Sequence, residues 1–359
     1  MASAAAGTLT VVATACLLGG LSLAPAASHV VGSPAEQAPV LHSGQRAPLR
    51  SGGQRAPLRS GGQWAVAPAS TSPSPARPGA LSARHGPPYP VTEVTVPIVD
   101  KSRPTVANGR EISPRRALTT EVWGPDAPGR YPLVVFAAGF RVGPKPYEAL
   151  LTSWARHGFV VAAPEFPLTD AAVAGANLDE ADIANQPADL RYVTDTLVAP
   201  ASPVAAHVDP NLVAVAGHSD GAETALDASA LPTPPGQPRY RALICMSGQP
   251  LRLVRPPRNP PLLVIQGDAD TVDPPALGYR VWEEAVRPKF LLVLHGAGHL
   301  PVEAGSAWLP VTVAVTNAFL DTYLADDAGA AGITAAGNDP PLATVRSSAS
   351  ASAQGRAAH

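Results

Sequence analysis

The chain has 359 residues, 45% of them hydrophobic, and a formal net charge of −2. That suits a globular protein with a sizeable core and excludes a chain disordered throughout. The 42 prolines and 31 glycines exceed ordinary usage, and many of the prolines fall in the first 90 residues, so the two parts are read separately.

The apolar segment "TLTVVATACLLGGLSL" (8 to 23) is followed by the small-residue stretch "APAAS". Residues 1 to 27 are therefore read as an export signal, short for a membrane span and lacking Lys or Arg ahead of its apolar core. A secreted or envelope-associated protein is expected. Cys16 would leave with the signal, so Cys245 would stand alone and no internal disulfide is expected. Cys245 lies in the apolar run "RALICMSG" and reads as a buried strand thiol.

Residues 28 to 88 carry the nonapeptide "GQRAPLRSG" twice in succession, too few copies for a solenoid. They read as a flexible linker. Its six arginines oppose one acid, Glu36; the linker thus holds about +5 and the remainder about −7. A solvated spacer is the plain reading, and electrostatic contact with an anionic cell envelope is the sharper one. Residues 327 to 359 are low in complexity and are expected to form a disordered tail.

Eight apolar or β-branched runs follow one another between these ends: 91–99, 117–124, 131–138, 158–166, 211–217, 241–248, 261–267 and 289–296. From the third onward, helix-like segments lie between them, including "PYEALLTSWARHG", "PADLRYVTDTLV", "DGAETALDASAL" and "PALGYRVWEEAV", and "AWLPVTVAVTNAFLDTYLAD" follows the last. Unbroken apolar strands alternating with amphipathic helices imply an α/β fold: a mostly parallel sheet, helices on both faces, and an antiparallel start. The folded domain is expected over 89–326.

Such a sheet places reactive groups at the carboxyl ends of its strands. The run "LVAVA" enters Gly217-His218-Ser219-Asp220-Gly221 and then a helix, the strand, sharp turn and helix of a nucleophile elbow. Ser219 is the expected nucleophile; a helix N-cap serine is the plainer alternative. A serine needs a base and an orienting carboxylate, which should follow at later strand ends in the order Ser, Asp, His. "DADTVDPP" offers Asp268, Asp270 and Asp273, and "HGAGHLP" offers His295 and His299. Asp270 is preferred because it clears its strand inside a turn, leaving Asp268 as a turn cap. His299 is preferred because its small-residue loop lets the imidazole swing toward Ser219, whereas His295 ends a buried strand. His157 should close a helix, and His207 and His218 read as packing or solvent positions. The pair His295 and His299 lacks an HExxH context, so no metal is expected, nor any other cofactor.

Two backbone N–H groups should face the developing oxyanion. Asp220 supplies one and Phe140, in "VVFAAGFRVGP", the other. Val142 and Gln249 are expected to line the substrate pocket. The side chain of Asp220 should line the cleft and disfavour a bare hydrophobic acyl group. The loop 248–260 is too short to hold a helical cap, so the site should be open. Its Arg252, Arg255 and Arg258 read as solvated charge, or as attraction for an anionic group or for Asp220.

These residues resemble the α/β-hydrolase superfamily, in particular a bacterial branch similar to dienelactone hydrolase, chlorophyllase, platelet-activating-factor acetylhydrolase and actinobacterial cutinases. The stretches that carry the resemblance are "VDKSRP", "EVWGP", "LVVFAAGF", "YEALLTSWARHGFVVAAPEFP", "NQPADLRYVTDTL", "VAGHSDGAETAL", "QGDADTVDPP" and "GAGHLP". The resemblance spans about residues 90 to 326. It implies an eight-stranded α/β-hydrolase fold without a large cap domain, Ser219, Asp270 and His299 as a catalytic triad, and hydrolysis of carboxylic esters through an acyl-enzyme. The chain departs from cutinase-like relatives, which carry an apolar residue where Asp220 stands, an aromatic clamp after the sixth strand and a C-terminal disulfide. Ala138 replaces the more frequent histidine before the oxyanion glycine. Polymer hydrolysis is therefore not the expectation; a monomer acting on a small, soluble ester is, with no nucleic-acid partner. Lactonase, peptidase or acyltransferase activity on the same fold, and a non-catalytic envelope-binding protein, remain the alternatives.

Overall fold

A strand that is aliphatic on every residue is buried on both faces only where helices cover both sides of its sheet. The computed structural model describes residues 88–249, 259–325 and 329–348. The expected export signal, almost all of the Arg-rich linker and the loop bearing Arg252, Arg255 and Arg258 lie outside them. The strands are β1 (Val91–Asp100), β2 (Thr105–Ala107), β3 (Arg110–Ser113), β4 (Arg116–Pro125), β5 (Tyr131–Ala137), β6 (Val160–Pro164), β7 (Val208–His218), β8 (Tyr240–Met246), β9 (Leu262–Gly267), β10 (Lys289–Leu294) and β11 (Ala343–Ser348). The helices are α1 (Glu148–His157), α2 (Ala171–Ala174), α3 (Gln186–Val198), α4 (Asp220–Ala230), α5 (Pro275–Glu284), α6 (Leu309–Leu324) and α7 (Gly329–Gly337).

Among the described residues, nine strands form one sheet in the order β1-β4-β6-β5-β7-β8-β9-β10-β11. The five central pairings, from β6·β5 through β9·β10, are parallel, while β1·β4, β4·β6 and β10·β11 are antiparallel. The two-residue period of a strand divides the core between two layers. Val134 and Phe136 of β5 face α1 and α6 with Trp154 and Phe319, whereas Leu133, Val135 and Ala137 face the α3, α4 and α5 side with Leu190, Val193 and Val281. Trp154 Nε1–H also donates to Thr316 Oγ1 at 2.8 Å, and His157, which closes α1 as expected, bonds Asp321 of α6 at 2.7 Å. Cys245 is buried in β8, where burial pushes its thiol up.

The structure corrects the sequence reading at the C-terminal end. Eight strands were expected; β11 makes a ninth, antiparallel to β10, within the supposed disordered tail. The Gly- and Ala-rich composition that suggested a disordered tail is what permits the packing. A Cβ on Gly337 would lie 2.2 Å from Val345 Cγ2 and 2.4 Å from Val315 Cγ2, so only glycine lets α7 sit this close. Ile333 and Ala343 are fully buried there. The short hairpin β2–β3 was also unforeseen, although its Asn108-Gly109 turn, with φ of 49° and 75°, carries a standard two-residue hairpin signal.

Behind the strand ends, a buried ionic cluster ties β4 to α3 and to the 3-10 turn Glu180–Ala184. Arg116, 1% exposed, donates through two nitrogens to each of Asp182 and Asp189, at 2.6 to 2.9 Å. Burial opposes the guanidinium charge, but the hydrogen bonds it donates to both aspartates outweigh that and raise its pKa. Removing one partner of such a cluster leaves buried charge uncompensated. Arg116→Met should therefore cost about 3–5 kcal/mol in urea unfolding; a loss within experimental error of zero would show that the aspartates rehydrate freely.

Candidate active site

The turn between β7 and α4 is held by contact that no side chain could share. Ser219 adopts φ 56° and ψ −130°, a strained conformation for a residue with a Cβ. A Cβ on Gly217 would sit 1.9 Å from the carbonyl oxygen of Gly221, and one on Gly221 would sit 2.1 Å from that of Ala137. Two glycines thus let the turn close against β5 and raise Ser219 at the sheet edge, where its N–H donates to Met246 O at 2.9 Å.

Ser219, His299 and Asp270 meet. Ser219 Oγ lies 3.0 Å from His299 Nε2, and His299 Nδ1 lies 3.0 Å from Asp270 Oδ2. An ionised carboxylate can only accept, so Nδ1 carries the ring proton and bare Nε2 faces the serine hydroxyl. The loops bearing the two residues are laced together: Ala269 N–H donates to Ala297 O at 3.0 Å. Gly267 lets them pass, since a Cβ there would lie 2.3 Å from Ala297 O. Asp270 is buried and accepts from Val272 N–H at 2.9 Å and Asp273 N–H at 3.0 Å. Burial pushes its carboxyl up, but the hydrogen bonds from His299 and Asp273 outweigh that and hold it below the usual carboxylate range.

The rival residues occupy other places. Asp268 caps the turn by accepting from Gly296 N–H at 2.6 Å, and it bonds His295 Nδ1 at 2.9 Å. His295 is half-exposed rather than buried; it lies beside β11, with Nε2 3.3 Å from Thr344 Oγ1. Asp273 Oδ2 stands 4.0 Å from His299 Nδ1, too far for a hydrogen bond.

The loop after β5 passes directly against the elbow. A Cβ on Gly139 would lie 3.2 Å from Ser219 Cβ. Gly139 N–H donates to Tyr147 Oη at 3.2 Å and Arg141 N–H to Thr169 O at 2.7 Å. The amide of Phe140, between them, bonds no acceptor among the described residues. Asp220 N–H opens α4, ahead of the helix's first hydrogen bonds from Ala222 and Glu223 N–H to Ser219 O. Asp220 directly follows Ser219 in the chain, and Phe140 directly follows Gly139, which packs against Ser219. Val142 is half-buried and packs on the α1 and α6 side, and half-buried Gln249 hydrogen-bonds Glu223.

Glu223 was not foreseen. It lies three residues after Asp220 on α4, a spacing that puts both carboxylates on one helix face and was there to be read. Burial first, then Glu180 and Asp273, push Asp220 up to about 6, and one of its oxygens is buried with no partner among the described residues. Burial and Asp220 push Glu223 up to about 8. Because the folded pKa of Glu223 is raised, its contribution is fully present below pH 4.5 and is lost as pH rises through about 8. Glu223→Gln should raise the unfolding free energy at pH 8 by about 2 kcal/mol, after allowance for relaxation, and change little at pH 4. Thermal unfolding at the two pH values reads this directly; an equal effect at both would mean that Glu223 ionises normally.

His218 was expected at a packing or solvent position. It is fully buried behind Ser219, and burial lowers its pKa to about 4. Its Nδ1 lies 3.0 Å from Tyr147 Oη and its Nε2 2.7 Å from the carbonyl oxygen of His299. No spacing signal could have found this, because the partners lie 71 and 81 residues away. Among the described residues, no group of three or more His, Cys, Asp or Glu could hold a metal ion.

A largely parallel sheet covered by helices on both faces, with a strand–serine–helix turn at its carboxyl edge, is the arrangement of the α/β-hydrolase superfamily. Residues 92–250 match the family model described as Chlorophyllase, a family of that superfamily, which is one of the four relatives that the sequence resembles. No curated protein matches the chain. The family match indicates a hydrolase of ester bonds. It takes in Phe140, Ser219 and Asp220 and ends before Asp270 and His299, which rest on the distances above.

Proposed function

We propose that the protein is a serine-dependent hydrolase of carboxylic esters that works through an acyl-enzyme, on an α/β-hydrolase fold without a large cap domain. One observation carries the reading: an unbroken hydrogen-bonded chain, Ser219 Oγ to His299 to Asp270, at a strained elbow. Ser219 Oγ attacks the ester carbonyl carbon while His299 Nε2 takes its proton. The tetrahedral oxyanion is met by the N–H groups of Phe140 and Asp220, each of a kind worth about 3 kcal/mol in transition-state stabilisation. Collapse breaks the bond to the alkoxide leaving group, which receives the proton from His299. Water then repeats the sequence: His299 accepts its proton, the acyl–Oγ bond breaks, and Ser219 regains its hydrogen. Asp270 holds the imidazole in the productive tautomer throughout.

The carboxyl groups of Asp220 and Glu223, in the first turn of α4 just after Ser219, support a soluble or moderately polar ester over a long apolar acyl chain. The apolar segment 8–23 supports export, with the Arg-rich stretch 28–88 meeting an anionic envelope. Ser219→Ala should abolish p-nitrophenyl acetate turnover while leaving the unfolding transition in place; unchanged turnover would sink the assignment. Product analysis with water and with alcohol acceptors separates hydrolysis from acyl transfer.

A further inference from the structure

The machinery proposed above comes from three places in the chain: the elbow at Ser219, the loop after β10 that carries His299, and the loop after β5 that carries Phe140. Each must be held to within fractions of an ångström for the transition state to be met. A buried pair of side chains, Tyr147 and His218, connects all three.

The proton positions in that pair are dictated by its partners. The carbonyl oxygen of His299 can only accept, so His218 Nε2 carries a hydrogen and donates to it at 2.7 Å. His218 Nδ1 is then bare, and the Tyr147 hydroxyl must donate to it at 3.0 Å. The same hydroxyl oxygen accepts the Gly139 N–H at 3.2 Å. The chain runs Gly139 N–H to Tyr147 O–H to His218, and from His218 to His299, with both side chains at most 2% exposed. One end fixes the residue before the Phe140 donor. The other fixes the backbone of the histidine that faces Ser219, and His218 itself precedes Ser219 in the chain.

Given the ester-hydrolase reading, the geometry points to Tyr147 and His218 as positioning residues that set the oxyanion loop and the His299 loop in register with Ser219. The two imidazoles lie 4.9 Å apart between ring centroids. Burial keeps His218 neutral, so His299 can take up a proton without a like charge beside it. Asp270, the other charged group acting on His218, is already engaged by His299.

The test uses the full chain and p-nitrophenyl acetate kinetics for Tyr147→Phe, His218→Phe, the double variant, His218→Gln and Ser219→Ala, with thermal unfolding alongside. Tyr147→Phe removes one oxygen and should lower kcat by about 10- to 100-fold with KM within about twofold. His218→Phe should lose at least as much, and the double variant should be no worse than the poorer single one, because both break one chain. His218→Gln, whose amide N–H can reach the His299 carbonyl, should recover part of kcat. Should His218→Phe fail to fold, Tyr147→Phe and His218→Gln still decide the matter. Wild-type kcat in Tyr147→Phe, a loss confined to KM, or losses that multiply in the double variant would each overturn the inference. Turnover surviving in Ser219→Ala would overturn the hydrolase reading itself; an inactive Ser219→Ala beside an unimpaired Tyr147→Phe would overturn only the positioning role.

Discussion

Asp270→Asn is expected to lower kcat by about 10⁴-fold, close to 5 kcal/mol of barrier, with little change in stability. The asparagine oxygen can still accept from Val272 and Asp273 N–H, which supports the turn. What it loses is the tautomer. Asp270 Oδ2 accepts from His299 Nδ1–H; an asparagine N–H at that position would present a donor instead, and the ring proton would move to Nε2. His299 would then point a hydrogen at Ser219 and could not accept one. Steady-state kinetics with a burst measurement would show the defect in acylation. If the loss were under tenfold while Asp273→Asn cost more, the orienting carboxylate would be Asp273, which stands 4.0 Å from the ring.

Gly217→Ala should be the most damaging single methyl group in the domain. The new Cβ would meet the Gly221 carbonyl oxygen at 1.9 Å and its carbonyl carbon at 2.3 Å. Neither can retreat, because a Cβ on Gly221 would itself lie 2.1 Å from Ala137 O, so the helix already rests on β5. Overpacking costs of about 3 kcal/mol or more are expected where backbone must move, read as a lowered denaturant midpoint. Turnover should fall as well, since the serine rides on this turn. A midpoint equal to wild type would mean that the elbow is looser than the close approach of β7, α4 and β5 implies.

Most of the sheet was legible because its strands are continuous aliphatic runs separated by helix-length amphipathic segments. Residues 131–137 and 211–217 could be little else than central strands, and the change from strand to glycine to serine to helix marked the elbow. The order Ser, Asp, His followed from strand ends, and the structure places His299 within hydrogen-bonding distance of both Ser219 and Asp270. What stayed hidden was of two physical kinds. The last helix and strand, α7 and β11, are built from residues as small as those of a linker, and their stability lies in close approach at Gly337, which composition cannot report. The Gly139–Tyr147–His218–His299 chain joins residues remote in sequence, and only tertiary contact defines it. Glu223 belongs to neither kind: its spacing from Asp220 was visible.

The same buried histidine gives the domain an acid limit. His218 has a folded pKa of about 4 against 6.5 when unfolded, so the unfolded chain binds the extra proton first. Its neutral state supports the fold fully above pH 6.5, and that support drains away as pH falls toward 4.

Covalent trapping tests the central claim most directly. After reaction with a fluorophosphonate, the intact mass of the protein should rise by one adduct, and peptide mapping should place it on Ser219 in step with the loss of ester turnover. An unlabelled protein, or an adduct on another residue while turnover persists, would contradict an acyl-enzyme at Ser219.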